Sequence, residues 1–179
     1  MISISEVEME GLLASCYLKS YQPRQYLILQ GEVSDFVFFI NKGITRSTIV
    51  DHAGEEHTIH FAMENQFIAD YSSFLQKKPA ANSLQAIEPT EVVVMPRNSI
   101  EWGYTNLTQG DKMGRVIAEF YFIYLDNRLK NNYAYSPAER YATISSVFPG
   151  IHNRVPQHMI ASYLGISPVH LSRLKKTMP

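Results

Sequence analysis

The stretch 154–176, RVPQHMIASYLGISPVHLSRLKK, decides how this chain is read. Its spacing predicts a helix, a tight turn and a second helix. Ile160 and Leu164 fall on one face of the first helix, and Ala161 between them is small enough for a steep helix crossing. Gly165 stands where the first helix must stop, because a left-handed residue costs glycine little. Ser167 offers a capping oxygen to orphan backbone N–H groups, and Pro168 suits a first helical turn that needs no N–H there. Leu171 and Leu174 turn inward with Ile166. The remaining positions, Pro168, Val169, His170, Ser172, Arg173, Lys175 and Lys176, are the candidate DNA-contacting set, on a helix of the size that enters a major groove. The alternative for the same residues is a plain helical hairpin.

Charge supports the first reading. The 179 residues carry a net charge of −1, but unevenly: residues 128–179 hold seven Lys or Arg against the single acid Glu139, while residues 1–127 hold nine against sixteen. A compact basic end is what phosphate contacts require, since neutralising phosphates releases counterions. Cys16 is the sole cysteine, so an internal disulfide, a thiolate-bound cluster and a structural zinc site built on several cysteines are excluded. The longest apolar run, 36–40, is too short to span a bilayer, and the acidic start predicts neither export nor membrane insertion, hence a cytoplasmic protein.

Upstream, residues 5–16 predict a short helix. Between 20 and 101 the texture is short alternating runs broken by Gly, Pro, Asn or Asp, the pattern of an antiparallel sandwich or barrel, with strands expected at 25–29, 36–41, 44–50, 57–61, 83–86 and 90–96. Residues 109–131 predict a long helix whose Met113, Val116, Ile117, Phe120, Ile123 and Tyr124 form a broad apolar stripe. Aromatic residues run nearly all the way round it, which favours a partner helix from a second subunit and so a twofold homodimer. A polar linker is expected at 130–135. Ser136, Pro137 and Glu139 then form a capping box with proline at the first helical position, opening a helix that Pro149 and Gly150 end. The fold class is therefore α+β, with domains at 1–108, 109–131 and 136–179.

A β-roll, a long dimer helix and a terminal helix-turn-helix, in this order, resemble the cyclic-AMP receptor protein (Crp/Fnr) family of bacterial transcription regulators. The resemblance covers essentially the whole chain. Its most specific pieces are GEVSDFVFFINKG at 31–43, with Arg46 following, and the stretch 155–176. It implies an effector site in the roll lined by Phe67, Ile68, Asp70, Tyr71, Ser83 and Gln85, an inverted-repeat DNA operator and RNA polymerase as a further partner. Two departures matter. Phe67-Ile68 is followed by Ala69-Asp70 where the family carries Gly-Glu, and the family's phosphate-clamping arginine falls near Ala80-Ala81. Without a guanidinium a buried cyclic phosphate lacks its bidentate partner, so cyclic AMP is not the expected effector and no other cofactor is implied. In the DNA half the family's Arg-Glu pair aligns with Pro168-Val169, leaving Arg173 as the matching base-reading arginine, and a winged hairpin is expected to be reduced or missing.

Two other classes remain open. One is a metal-binding, cupin-like enzyme or sensor using His52, His57, His60 and Glu64. Strict strand alternation would put His57 and His60 on opposite faces, which argues against a shared metal. The other is a ligand-binding dimer that has lost DNA binding. No Ser-His-Asp arrangement, phosphate-binding loop or dinucleotide fingerprint is present, so no catalytic residue is expected.

Overall fold

The computed structural model describes residues 3–177. Helix α1 (Glu6–Leu13) opens on a reciprocal cap: Ser5 Oγ accepts from Glu8 N, and Glu8 Oε2 accepts from Ser5 N at 2.9 Å. Eight strands follow in two antiparallel sheets. The first has the order β1 (Tyr17–Tyr21), β8 (Thr90–Pro96), β3 (Phe36–Lys42), β6 (Phe67–Ile68). The second has the order β2 (Tyr26–Ile28), β7 (Ser83–Ala86), β4 (Thr45–Val50), β5 (Glu56–Ala62). Their facing sides enclose Ile28, Phe38, Ile40, Ile68, Leu84, Val92 and Val94, a dry core typical of stacked sheets. Gly43 makes the β3–β4 turn possible, with φ of 103° and an added Cβ that would lie 2.5 Å from Thr90 Oγ1.

Helix α2 (Tyr71–Gln76) lies between β6 and β7, and α3 (Arg97–Asn106) follows β8. Sequence periodicity misses α3 because its buried positions are Ser99 and Gly103, small where an apolar stripe is expected. The long helix α4 (Gly110–Ala134) runs through the segment expected to be a linker. Its last turns are held from outside, since Arg140 Nη1 donates to the carbonyl of Asn132 at 3.0 Å. The capping box at Ser136 and Glu139 forms and opens α5 (Pro137–Val147). A four-residue helix α6 (Ile151–Arg154), α7 (Gln157–Tyr163) and α8 (Pro168–Thr177) complete the chain.

A second core joins the helices to the outside of the roll. Ile44, Phe61 and Met63 pack with Ile144, Phe148, Ile151, Ile160, Leu164 and Leu171. Thr58 N donates to Ser162 Oγ at 2.8 Å, and Arg154 grips Glu64 (2.6 and 3.0 Å) and Glu88 (2.5 Å). The strand alternation expected for the histidines fails for a physical reason. Along β5 the register skips a residue: His57 pairs with Ile49 and Thr58 with Thr48, but His60 pairs with Ser47, leaving Ile59 without a partner in β4. The bulge brings His57 and His60 to one side of the ladder, although they still go to different partners.

Candidate nucleic-acid interface and effector site

The α7–α8 pair is built as its residues predict. Ile160, Ala161, Leu164 and Leu171 are buried, Gly165 takes a φ of 68°, and Ile166 N closes back on Ala161 O at 3.0 Å. Ser167 Oγ accepts from His170 N at 3.1 Å, starting α8. Pro168, Val169, His170, Ser172, Arg173, Lys175 and Lys176 are all exposed. Lys175 Nζ reaches back to Gln157 Oε1 at 3.2 Å, while Arg173 and Lys176 project from the body of the protein. This is a basic, short-sided face on a rigidly backed helix.

In the roll the expected effector residues divide. Ile68 is buried in the inter-sheet core with Ala80, which stands near the place of the family's arginine. Asp70 is 2% exposed and both its oxygens accept: Oδ1 from Ser73 N at 2.9 Å, capping α2, and Oδ2 from Asn82 N at 3.0 Å. Phe67 is half-buried, and its backbone is closed by one hydroxyl. Tyr121 of α4 accepts from Phe67 N at 3.0 Å and donates to Phe67 O at 2.7 Å. Ser83 Oγ accepts from Gln30 N at 2.9 Å, and Tyr71 is exposed, stacked on Phe74. Gln85 points the other way from Leu84 and Ala86, which sit in the roll core, so it is not gathered with the rest. Its Oε1 takes two bonds from Arg46 (3.0 and 2.7 Å), whose guanidinium also meets Glu56 at 2.6 Å and Thr58 at 3.3 Å. Lys77 and Lys78 are exposed, outside this arrangement.

The metal set does not assemble. Glu64 is held by Arg154, which with the Gly43 amide lowers its pKa to about 2. His60 is enclosed between Tyr124 and Phe148, with Nδ1 at 3.0 Å from Tyr124 Oη; burial, aided by the Arg128 charge, lowers its pKa to about 3, so the ring is neutral. His57 pairs with Asp51 at 2.8 Å, and these two with Glu55 bring ligand atoms within 4.8 Å on the exposed β4–β5 hairpin. Asp51 is already tied there by the amides of Ala53 and Glu55.

Of the α4 stripe, Met113 packs toward α1 and α3, Ile117 is half-buried, and Tyr124 is bonded to His60 and Tyr163. Val116, Phe120 and Ile123 are exposed, Phe120 by 64%, as are Phe122, Leu125 and Leu129. No described helix is long and apolar enough to cross a membrane. The residues that sequence reasoning missed are Tyr121 and Arg154, whose partners lie far away in the chain.

Comparison with known proteins fits this geometry. Residues 18–104 match the cyclic nucleotide-binding domain. No curated protein matches the sequence closely. Among solved structures, FixK2 from Bradyrhizobium japonicum superposes with a TM-score of 0.76 at 16% identity, covering 90% of this chain and 83% of that one. A putative regulator of the crp/fnr family from Eubacterium rectale gives 0.74 at 11% identity, covering 97% and 82%. CLP, the c-di-GMP responsive global regulator of Xanthomonas campestris, gives 0.71 at 12% identity, covering 96% and 90%. Residues 18–104 thus match a cyclic nucleotide-binding domain, and the chain is similar in fold to solved transcription regulators, one of them described as a member of the crp/fnr family.

Proposed function

We propose that this protein is a DNA-binding transcription regulator of the Crp/Fnr type, acting in the cytoplasm as a homodimer and without enzymatic activity of its own. The observation that carries the reading is α8: an exposed face of Val169, His170, Ser172, Arg173 and Lys176 on a helix whose other side, at Leu171, is fully buried. Arg173 is the base reader, suited to a bidentate pair with guanine, and Lys175 and Lys176 serve phosphates. The exposed Val116, Phe120 and Ile123 of α4 form the dimer seam, which would present two α8 helices to one duplex.

Cyclic AMP is not the effector on this reading. Ala80 offers a methyl group near the place where the family clamps phosphate, and both Asp70 oxygens already accept backbone N–H groups. The roll input, if sensed there, is a solute of another class. Selection from a random duplex library tests the DNA reading: an inverted repeat with half-sites about one helical turn apart is expected. Recovery of no sequence above background at low salt, with and without cell extract, would leave a ligand-binding dimer that does not bind DNA.

A further inference from the structure

Between α4, α5 and α7 lies a cleft of about 290 Å³, away from both the roll interior and the exposed face of α8. Its polar wall consists of Arg128, Arg140, Asn127, Asn131, Asn132 and Thr143, with no aspartate or glutamate in the lining. The two arginines differ from the four that hold carboxylates. Arg46, Arg97, Arg115 and Arg154 each hold a carboxylate. Arg128 and Arg140, among the described residues, hold neutral acceptors only. Arg128 Nη1 donates to Ile59 O while its plane covers the Tyr163 ring at 4.5 Å. Arg140 donates to Asn132 O, Asn132 Oδ1 and Leu164 O at 3.0, 3.3 and 2.9 Å. Its Nε is buried with no hydrogen-bond partner.

The nearby acids are committed elsewhere: Asp126 to Lys130 and Glu139 to the Ser136 cap. Two half-buried guanidinium charges therefore converge on one recess without a counter-charge. Taking charge out of water without a partner is costly, and a solute that supplies the opposite charge recovers that cost. The amides of Asn127, Asn131 and Asn132 add neutral donors, which orient an oxyanion without competing for the arginines. Arg128 is also the charge that helps keep buried His60 neutral, so its positive field reaches the α4–β5 contact.

We infer that this cleft is a binding site for a small oxyanion, a phosphate- or carboxylate-bearing metabolite, seated between Arg128 and Arg140 where the long helix meets the C-terminal helices. The site goes beyond the DNA reading and does not depend on it. Its position matters because a ligand there touches α4, α5 and α7 together, the three elements whose relative placement sets where α8 points.

The test uses the full-length protein at constant ionic strength, titrated with inorganic phosphate and separately with succinate, and read by amide chemical shifts. Saturable shifts concentrated at residues 127–132 and 140–144 are expected for at least one of the two probes. Arg128→Gln should weaken that binding by roughly tenfold or more, as loss of a charge-assisted pair does. Because arginine replacements also remove carbonyl contacts, the decisive variant is Asn131→Asp. It is isosteric, lies on an exposed position, and places the missing carboxylate inside the cleft. It should abolish binding of both anions while raising the melting temperature; Lys176→Gln should change neither. No saturable response to either probe overturns the proposal, and so does binding that survives Asn131→Asp. Displacement of phosphate by a short duplex would assign the cleft to the DNA backbone and overturn the small-molecule site.

Discussion

Removing the guanidinium of Arg154 should loosen the C-terminal helices from the roll by an amount the structure allows to be worked out. Arg154 sits at the end of α6 and meets Glu64 at 2.6 and 3.0 Å and Glu88 at 2.5 Å. These are its links to residues 90 and 66 positions away. The pair holds the Glu64 pKa at about 2 against an ordinary 4.5. Taken without screening, that difference corresponds to roughly 3 kcal/mol. The side chains of Arg154, Glu64 and Glu88 remain 30%, 33% and 27% exposed, so water screens them and about 1–2 kcal/mol is the realistic cost of Arg154→Ala. The variant also leaves two carboxylates side by side. A folded pKa below the unfolded one stabilises the protein above pH 4.5, and that contribution disappears as pH falls toward 2. Urea titrations of wild type, Arg154→Ala and Glu64→Gln at neutral and acid pH would measure both effects. Arg154→Ala should unfold at lower urea at neutral pH and lose less stability on acidification than wild type. A neutral-pH loss below about 0.5 kcal/mol, or parallel acid slopes, would show that the apolar cluster alone holds the units together.

Arg173→Ala should cost about 1–3 kcal/mol on a selected site and relax the preference at one base pair per half-site, whereas Lys176→Ala should weaken all duplexes alike and flatten the salt dependence; competition binding with matched and mismatched duplexes separates the two. Phe120→Glu with Ile123→Glu should yield a monomer by light scattering, because carboxylates would enter an apolar seam without partners; a dimer of unchanged affinity moves the interface elsewhere. Calorimetry with cyclic AMP should show no micromolar binding, since about 8 kcal/mol would have to come from groups already bonded to the protein; a micromolar isotherm contradicts that.

The parts of the fold that were legible are those where one local rule decides. The Ser136–Glu139 box, the Gly165 turn with its Ser167 cap, and the glycine-bounded apolar run of β3 each follow from a few neighbouring residues. The parts that were not legible are decided by contacts across the chain. Helix α3 hides its inner face behind Ser99 and Gly103. The Asn-rich end of α4 has poor intrinsic helicity, and Arg140 of the next helix supports it through the Asn132 carbonyl. The skipped register opposite Ser47 and Thr48 overturns an argument from alternation that is sound for a regular strand. In the candidate site the exposed α8 residues could be placed from spacing alone. Asp70 could be identified, but not that both its oxygens are consumed by Ser73 and Asn82.

That consumption bears on where a signal could enter. The Phe67 backbone and Asp70, two of the positions expected to line the roll site, already spend hydrogen bonds on protein groups, each worth about 1 kcal/mol net. The Tyr121 bridge meanwhile joins β6 to α4 directly, so the roll and the long helix are already coupled through protein groups. The balance differs in the α4–α5–α7 cleft, where two guanidinium groups have only neutral acceptors. An anion would meet two guanidinium groups there, against the Ala80 methyl near the place of the family's arginine in the roll, so the electrostatics favour input at the base of the long helix.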